Sequence, residues 1–305
     1  MKKFLNYPKM TKQNMDKIFT DKFLELNKEK IIAELNKNGF FNITKAINLE
    51  FISKLESDFN ENKFQINRNW ITGVHADKQY FLTHLLACSQ NFYNLVTSNN
   101  ILSLSEKFLG NNFRLKALRY YETYGYHKML WHTDNKTSDG FKKIPGLIFI
   151  IYMGDVNDGE FQYIKNSHTF SQKNNFNDYS NDFISKNYKD DIISFKGSEG
   201  DLIIYNSYGI HRAKPVDLKN FIRKSIFFQI DSEMNSGEPL LINPSYVKNA
   251  EKKILSFLGF GQISKTKIYP NTNIDRLPNK ILFGTHIYNY IKKKVFIRIK
   301  KIFNN

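Results

Sequence analysis

Apolar side chains recur at helical spacing through the first third of the chain. Residues 20–37, TDKFLELNKEKIIAELNK, place them three and four positions apart, and Asn38-Gly39 supplies a stop signal. GFFNI then has the pattern of a short strand, after which LEFISKLESDFNENK resumes the helical period. Residues 78–110 are predicted to be mostly helical, because FLTHLLACSQNFYNLV is apolar nearly all round. The pattern therefore predicts a helical amino-terminal part, residues 1–112.

The pattern changes after residue 112 to short aromatic or β-branched runs. GLIFIIYM, GEFQYIKNS, GDLIIYNS and RKSIFFQI are such runs, and Gly, Asn and Asp turns separate them. Several short strands with this punctuation predict a β core at residues 113–232, of the sandwich, barrel or jelly-roll type. Asn157-Asp158-Gly159 is predicted to form the turn of a hairpin. The polar stretch at residues 171–191 predicts a long surface loop of the kind that often covers a site.

Composition limits the class of protein without naming it. The chain has 305 residues, 41% of them hydrophobic, which suits one domain over residues 1–305 with a basic carboxy-terminal extension at 233–305. Cys88 is the only cysteine, so no disulfide can form within the chain, and a reducing compartment is favoured. No apolar run approaches the roughly 20 residues that cross a bilayer, and MKKFLNYPKMTKQ lacks the apolar stretch of a secretory signal. A cytoplasmic location is predicted.

The net charge of +16 predicts attraction to an anionic partner. Nucleic acid, a phospholipid surface and a phosphorylated or carboxylated substrate all satisfy that requirement. Near the carboxy terminus, IYNYIKKKVFIRIKKIF alternates apolar and basic blocks, and no acidic residue follows Asp275. This segment has the pattern of a basic amphipathic helix at the inner face of a membrane, or of a solvated terminal helix. The charge alone leaves these alternatives open.

One short stretch, LWHTDNK, carries the clearest chemical signal. On an extended strand, His132 and Asp134 point to the same face, so an imidazole and a carboxylate converge there. His211, at the far end of the strand-like run GDLIIYNSYGIH, is the best candidate for a third ligand. Two histidines and one carboxylate leave three positions open on an octahedral ferrous ion, which can then bind an organic cosubstrate and dioxygen. A structural zinc site would fill its positions with protein groups.

A lone arginine in an apolar strand adds a second signal. Arg223, in NFIRKSIFFQI, follows His211 by twelve residues, and a buried guanidinium is best matched by a carboxylate that binds it through two hydrogen bonds. We therefore expect a dicarboxylic acid that chelates the iron at one end and pairs with Arg223 at the other. The alternatives are that Arg223 lies at the surface, or that Arg212 takes this role.

These residues, in this order, resemble the Fe(II)/2-oxoglutarate dioxygenases, and more narrowly the phytanoyl-CoA dioxygenase group. EKIIAELNKNGFFNITKAINLEFISKLESDF is similar to that family's opening, and ILSLSEKFLGNNFRL is similar to the segment before its β core. GEFQYIKNSH resembles its G-x-L … P-G-S-H strand and turn, with Lys165-Asn166 where Pro-Gly is usual. The resemblance covers about residues 28–230. Ala213 departs from it, since a small polar residue is usual two positions beyond the distal histidine.

The resemblance implies an α+β fold with a double-stranded β-helix (jelly roll, cupin-like) core, flanking amino-terminal helices and a carboxy-terminal extension. It implies that dioxygen and 2-oxoglutarate are consumed, that succinate and carbon dioxide are released, and that the substrate is hydroxylated. Halogenation is disfavoured because halogenating relatives carry Ala or Gly where this chain has Asp134. The implied site residues are His132, Asp134 and His211 for the metal, and Arg223 with Tyr121, Thr123 or Lys128 for 2-oxoglutarate.

The sequence thus predicts an oxygenase that acts on an anionic small metabolite or on a cell-envelope sugar or lipid-linked glycan. One alternative is a non-catalytic jelly-roll binding protein whose metal site is vestigial. Another is an oxidative demethylase of nucleic acids, which the sequence disfavours because the repair family has a second arginine where this chain has Gln229. Contact with nucleic acid is therefore not expected, whereas peripheral contact with a membrane through the basic carboxy terminus is one expectation.

Overall fold

The computed structural model describes most of the helical and β regions predicted from the sequence. The described residues are 18–63, 66–67, 70–71, 74–76, 78–134, 144–170, 179–232, 240–261, 287–288, 291–292 and 295. Between residues 64 and 77 only the backbone of these residues is described. The helices are α1 Asp21–Leu24, α2 Lys28–Asn38, α3 Leu49–Asn62, α4 Leu85–Cys88, α5 Gln90–Val96, α6 Asn99–Leu109, α7 Asn181–Tyr188, α8 Pro244–Val247 and α9 Lys252–Phe257. The strands are β1 Phe40–Ile43, β2 Ile66–Asn67, β3 Trp70–Ile71, β4 Val74–Ala76, β5 Gln79–Leu82, β6 Arg114–Tyr124, β7 Gly146–Tyr152, β8 Val156–Ile164, β9 Ile192–Gly197, β10 Leu202–Asn206, β11 His211–Ala213 and β12 Ile222–Asp231.

The strands form two principal antiparallel sheets. The larger sheet has seven strands in the order β1-β10-β7-β12-β6-β5-β4, and the smaller has the order β11-β8-β9. β2 and β3 pair separately. Mixed helices and antiparallel sheets agree with the predicted α+β class. The larger sheet includes β1, β4 and β5, so the β core is not confined to the predicted residues 113–232.

The helices cover one face of the larger sheet. α2 begins at Asn27, whose side chain accepts a hydrogen bond from the backbone of Glu29, and ends at Gly39, which has a φ of 88° that glycine adopts readily. α3 buries Ile52, Leu55 and Phe59 completely against the sheet and its neighbouring helices. The caps and the buried side chains agree with the helical patterns predicted for Lys28–Asn38 and Leu49–Asn62.

The opposite face of the larger sheet packs on the smaller sheet. Ile148, Tyr152 and Ile203 meet Phe161 and Tyr163 of β8 in a second apolar core. The central strands are therefore buried on both faces, which explains why GLIFIIYM has a continuous apolar run without alternation.

Four details differ from the expectations. The helix predicted over 20–37 is two helices, because Asn27 caps a new start. Gln79–Leu82 is a strand, since it pairs with β6. Asn157-Asp158-Gly159 lies within β8, after an earlier turn that carries the chain from one sheet to the other, so it forms no hairpin turn. The loop predicted at 171–191 contains α7, which Ser180 caps.

The predicted single domain and its extension at 233–305 stay predictions. The basic segment near the carboxy terminus lies outside the described residues, apart from isolated helical positions. Among the helices that the structure describes, none is long and apolar enough to span a bilayer.

Candidate metal centre

Main-chain hydrogen bonds bring His132 and His211 side by side. The N–H of His132 donates to the carbonyl of His211 at 3.0 Å, and the N–H of His211 donates to the carbonyl of His132 at 2.9 Å. Two residues that exchange both main-chain hydrogen bonds form a hydrogen-bonded pair of an antiparallel ladder. His132 therefore pairs with the first residue of β11. The two imidazole centroids lie 4.4 Å apart as a result.

Asp134 joins the two histidines through a second main-chain contact. Its N–H donates to the carbonyl of Ser207 at 3.1 Å, which places its carboxylate Oδ2 3.2 Å from Nε2 of His211. The ligand atoms of His132, Asp134 and His211 all lie within 4.8 Å of one another. The structure therefore brings together the three residues that the sequence nominated as metal ligands.

Both imidazoles are held in one tautomer. Nδ1 of His132 lies 2.8 Å from the carbonyl of Leu130, and Nδ1 of His211 lies 2.9 Å from the carbonyl of Gly209. A carbonyl can only accept a hydrogen bond, so each Nδ1 carries the hydrogen and each Nε2 keeps its lone pair. Metal-binding histidines have this arrangement, in which a backbone carbonyl fixes the ring and leaves the other nitrogen for the ion.

The turn before His211 depends on a glycine. A Cβ atom on Gly209 would lie 1.7 Å from the hydroxyl oxygen of Tyr163, so no larger residue fits there without displacing that ring. The Tyr163 hydroxyl donates to the carbonyl of Asn206 at 3.3 Å. Because Gly209 has no side chain, the turn packs directly against Tyr163. The Gly209 carbonyl then lies beside the ring of His211.

The donor set fits a divalent cation. In the described part of the chain, Oδ2 of Asp134 is buried without a hydrogen-bond donor, and it faces the lone pair of His211 at 3.2 Å. Adjacent ligands with bonds of about 2.1 Å lie about 3 Å apart in octahedral geometry. Burial raises the pKa of Asp134, but the charges of His211, His132 and Lys116 outweigh it and lower the pKa to about 2. An ionised carboxylate therefore lies next to the imidazole nitrogens, and one cation can bind all three ligand atoms.

Arg223 supplies a buried positive charge in the same cavity. Its side chain is 7% exposed, and its guanidinium donates to the carbonyl of Gly159 and, at 3.3 Å, to the hydroxyl of Thr123. Burial lowers its pKa, and the neighbouring Tyr152 and Glu160 oppose the shift, but an arginine remains charged at any physiological pH. No salt bridge involves Arg223 among the residues that the structure describes.

A cavity of about 180 Å³ connects the histidines and Asp134 with Arg223. Its described lining also includes Gln79, Arg119, Tyr121, Met129, Ile150, Tyr152, Phe161, Tyr205, Ala213, Ser225 and Phe227. Two arginines, one carboxylate and several aromatic rings thus share one cavity between the sheets.

Of the other predicted residues, some lie at the cavity and others lie outside it. Tyr121 lines the cavity, and Thr123 touches it through Arg223. Lys128 is exposed and does not line the cavity, because the chain leaves β6 at Tyr124 and runs through a turn before it returns at Met129. Arg212, the alternative anchor, stacks on Trp131 at 4.3 Å and does not line the cavity either.

Sequence reasoning missed Tyr205, which is 1% exposed and lies beside the metal ligands. Its hydroxyl is 3.3 Å from Nε2 of His211 and lies close to the Asp134 carboxylate. Burial, followed by the charge of Asp134, raises the pKa of Tyr205 well above its usual value, so the hydroxyl keeps its proton. A polar residue inside the apolar run LIIY, six positions before His211, was the available signal.

Solved structures share this fold at low sequence identity. HygX from Streptomyces hygroscopicus, solved with nickel and 2-oxoglutarate, has a TM-score of 0.55 and 15% identity, over 78% of this chain and 96% of its own. The epimerase SnoN from nogalamycin biosynthesis has a TM-score of 0.51 and 14% identity, over 67% and 82%. The carbocyclase SnoK of the same biosynthesis has a TM-score of 0.51 and 12% identity, over 69% and 85%.

SnoN and SnoK are non-haem enzymes that depend on α-ketoglutarate, which is another name for 2-oxoglutarate. The HygX structure contains nickel and 2-oxoglutarate. Identity of this order shows a shared fold. No protein-family model and no curated protein matches the chain. The chain therefore shares the fold of these solved enzymes.

Tyr205 is expected to strengthen metal binding because its hydroxyl supports His211 and lies close to Asp134. Tyr205→Phe removes only the hydroxyl, and we expect it to weaken Co(II) binding about tenfold, as losses of such supporting hydrogen bonds do. Isothermal titration with Co(II) measures the change. Tyr124→Phe is the matched control, because it removes a hydroxyl that bonds to the Glu122 carboxylate and Tyr124 does not line the cavity. Equal affinities in wild type and Tyr205→Phe would contradict this role.

Proposed function

We propose that the protein is a non-haem iron(II)- and 2-oxoglutarate-dependent oxygenase. The observation that carries the proposal is the convergence of two Nε2 lone pairs and one buried, ionised carboxylate in a cavity that also contains a buried guanidinium. Three protein ligands leave three positions open on an octahedral ion, enough for a chelating keto acid and dioxygen. Iron(II), 2-oxoglutarate and dioxygen are the cofactors and cosubstrates that this arrangement suits.

Each side chain has a separate part in the proposed reaction. His132, Asp134 and His211 hold the ion, which when bound activates dioxygen for oxidation of the substrate. Arg223 binds the distal carboxylate of 2-oxoglutarate through its two terminal nitrogens. Tyr121 lines the same space and is the remaining predicted contact to 2-oxoglutarate. The aromatic and aliphatic lining excludes water around the reacting groups.

The solved neighbours support the cofactor set. HygX contains nickel and 2-oxoglutarate, and SnoN contains Fe3+ and α-ketoglutarate. The pair of facing antiparallel sheets supports a double-stranded β-helix core. We propose that the chain belongs to the phytanoyl-CoA dioxygenase group because of the sequence resemblance. That resemblance includes the three proposed metal ligands and Arg223.

Hydroxylation is the proposed outcome. SnoN is an epimerase and SnoK a carbocyclase on the same fold, so product analysis should also look for a change of stereochemistry and for loss of two hydrogens.

The proposed substrate is an anionic small metabolite or an envelope sugar or lipid-linked glycan. A cytoplasmic location and membrane contact through the basic carboxy terminus stay predictions. A binding protein with a vestigial site is the rival, and turnover separates the two.

Turnover tests the reaction class directly. We expect the wild-type protein with iron(II), 2-oxoglutarate, ascorbate and oxygen to release succinate, with a further increase when a substrate from an extract of anionic metabolites or glycans is present. His132→Ala should abolish the release, because two ligands hold the ion poorly. His127→Ala is the control, since that half-buried histidine does not line the cavity. Succinate at the background rate from wild type under all these conditions would favour the binding protein.

The two candidate anchors for 2-oxoglutarate differ in their expected response. Arg223→Ala should weaken 2-oxoglutarate binding roughly 30-fold or more, because the loss of one partner of a buried charge pair costs at least about 2 kcal/mol. Arg212→Ala should leave binding unchanged, since Arg212 stacks on Trp131 outside the cavity. Titration calorimetry of the Mn(II)-loaded variants measures both. Unaltered affinity in Arg223→Ala, with Mn(II) still bound, would refute the assignment.

A further inference from the structure

Three polar side chains form a row across the cavity face of the larger sheet. In the strand register, Gln79 of β5 lies opposite Thr123 of β6, and Thr123 lies opposite Arg223 of β12. Residues that are directly opposite in antiparallel strands point to the same face of the sheet. Gln79 and Arg223 both line the cavity, so the row faces the space that also contains the candidate metal ligands.

Hydrogen bonds join the row into one unit. The hydroxyl oxygen of Thr123 accepts a hydrogen bond from Nε2 of Gln79 at 3.3 Å and another from Nη2 of Arg223 at 3.3 Å. A hydroxyl oxygen has two lone pairs, so these two donors occupy both of them. The amide and the guanidinium are therefore held next to the same oxygen atom, at the same end of the cavity.

The amide of Gln79 keeps a donor for a ligand. Its nitrogen carries two hydrogens, of which Thr123 receives one. Among the residues that the structure describes, the side chain of Gln79 makes no other hydrogen bond. A second N–H is therefore available beside the guanidinium of Arg223.

The alternation of β5 fixes the direction of this side chain. Tyr80 and Leu82 are buried in the core that the helices cover, so Gln79 and Phe81 take the opposite face of the strand. The ring of Phe81 lies 5.4 Å from that of Tyr121, which also lines the cavity. The pairing of β5 with β6 thus points Gln79 into the cavity.

A carboxylate beside Arg223 can use this donor. In the proposed complex, the distal carboxylate of 2-oxoglutarate pairs with Arg223. A carboxylate has about four lone-pair sites on its two oxygens, and a guanidinium that binds through two hydrogen bonds leaves the others free. Burial of an ionised group is less costly when its remaining lone pairs also receive hydrogen bonds. The neutral amide of Gln79 supplies such a hydrogen bond without a second positive charge.

We propose that Gln79 is a binding residue for the cosubstrate, and that its amide donates a hydrogen bond to the distal carboxylate that Arg223 binds. This inference rests on the proposed function and adds a specificity-determining residue to the same site. Gln79 favours a keto acid with a second carboxylate over one that ends in a methyl group.

The test compares two keto acids with the same carbon chain. 2-Oxoglutarate has a distal carboxylate, whereas 2-oxopentanoate has a methyl group in its place. Each is titrated into Mn(II)-loaded protein, and relaxation of the ligand protons by Mn(II) reports binding near the metal. We expect Gln79→Leu to weaken binding of 2-oxoglutarate roughly tenfold or more, as loss of a hydrogen bond to a charged group predicts. Binding of 2-oxopentanoate should be unchanged, because its methyl group accepts no hydrogen bond.

Two further variants and a control assign the effect to the amide. Gln79→Glu should weaken 2-oxoglutarate binding more than Gln79→Leu does, because its carboxylate repels that of the ligand. Gln79→Asn keeps the amide on a shorter side chain and should show the same selective loss as Gln79→Leu. Gln90→Leu is the matched control, since that half-buried glutamine bonds to Asn94 and does not line the cavity. Equal melting temperatures verify folding.

The outcomes separate this inference from the proposed function. The inference is overturned if folded Gln79→Leu and Gln79→Asn bind 2-oxoglutarate as the wild type does, or if they lose both keto acids to the same extent. If Arg223→Ala loses 2-oxoglutarate while the Gln79 variants bind it normally, the inference fails and the proposed cosubstrate site stands. If the wild type binds neither Mn(II) nor 2-oxoglutarate, the inference and the proposed function fail together.

Discussion

The reciprocal main-chain bridge between His132 and His211 is the interaction on which the site depends. It joins segments 79 residues apart and sets their imidazoles 4.4 Å from each other. The same backbone groups orient the rings, since the carbonyls of Leu130 and Gly209 hold each Nδ1. Backbone hydrogen bonds that form as the two sheets fold therefore also bring the two histidine ligands together.

That organisation requires the buried architecture around it. The strands that border the site are covered on one side by helices and on the other by the smaller sheet. Tyr163 packs against Gly209 at the turn that presents His211, and Tyr205 connects the larger sheet to Asp134. Two arginines face the same space from adjoining strands. A small cavity thus combines aromatic and aliphatic side chains with two arginines, two histidines and one carboxylate.

Local sequence patterns predicted most of the site residues. The other features depend on contacts between residues that lie far apart in the sequence. The spacing of His132 and Asp134, together with His211 and Arg223, identified residues that the fold brings to one cavity. Sequence could not place Lys128, since its distance from the cavity depends on the path of a loop. It also missed Gln79–Leu82 as a strand, because pairing with β6 overrides a local helical pattern. The place of Tyr205 beside His211 depends on the turn between β10 and β11, which sequence patterns did not predict.

The central claim is that one ferrous ion binds to His132, Asp134 and His211 with open positions beside them. Diffraction from crystals grown anaerobically with iron(II) and 2-oxoglutarate, recorded on both sides of the iron absorption edge, tests it most directly. The account predicts a single anomalous peak about 2 Å from both Nε2 atoms and a carboxylate oxygen of Asp134, with the keto acid extending to Arg223. An iron peak elsewhere, or none at these three side chains, would contradict it.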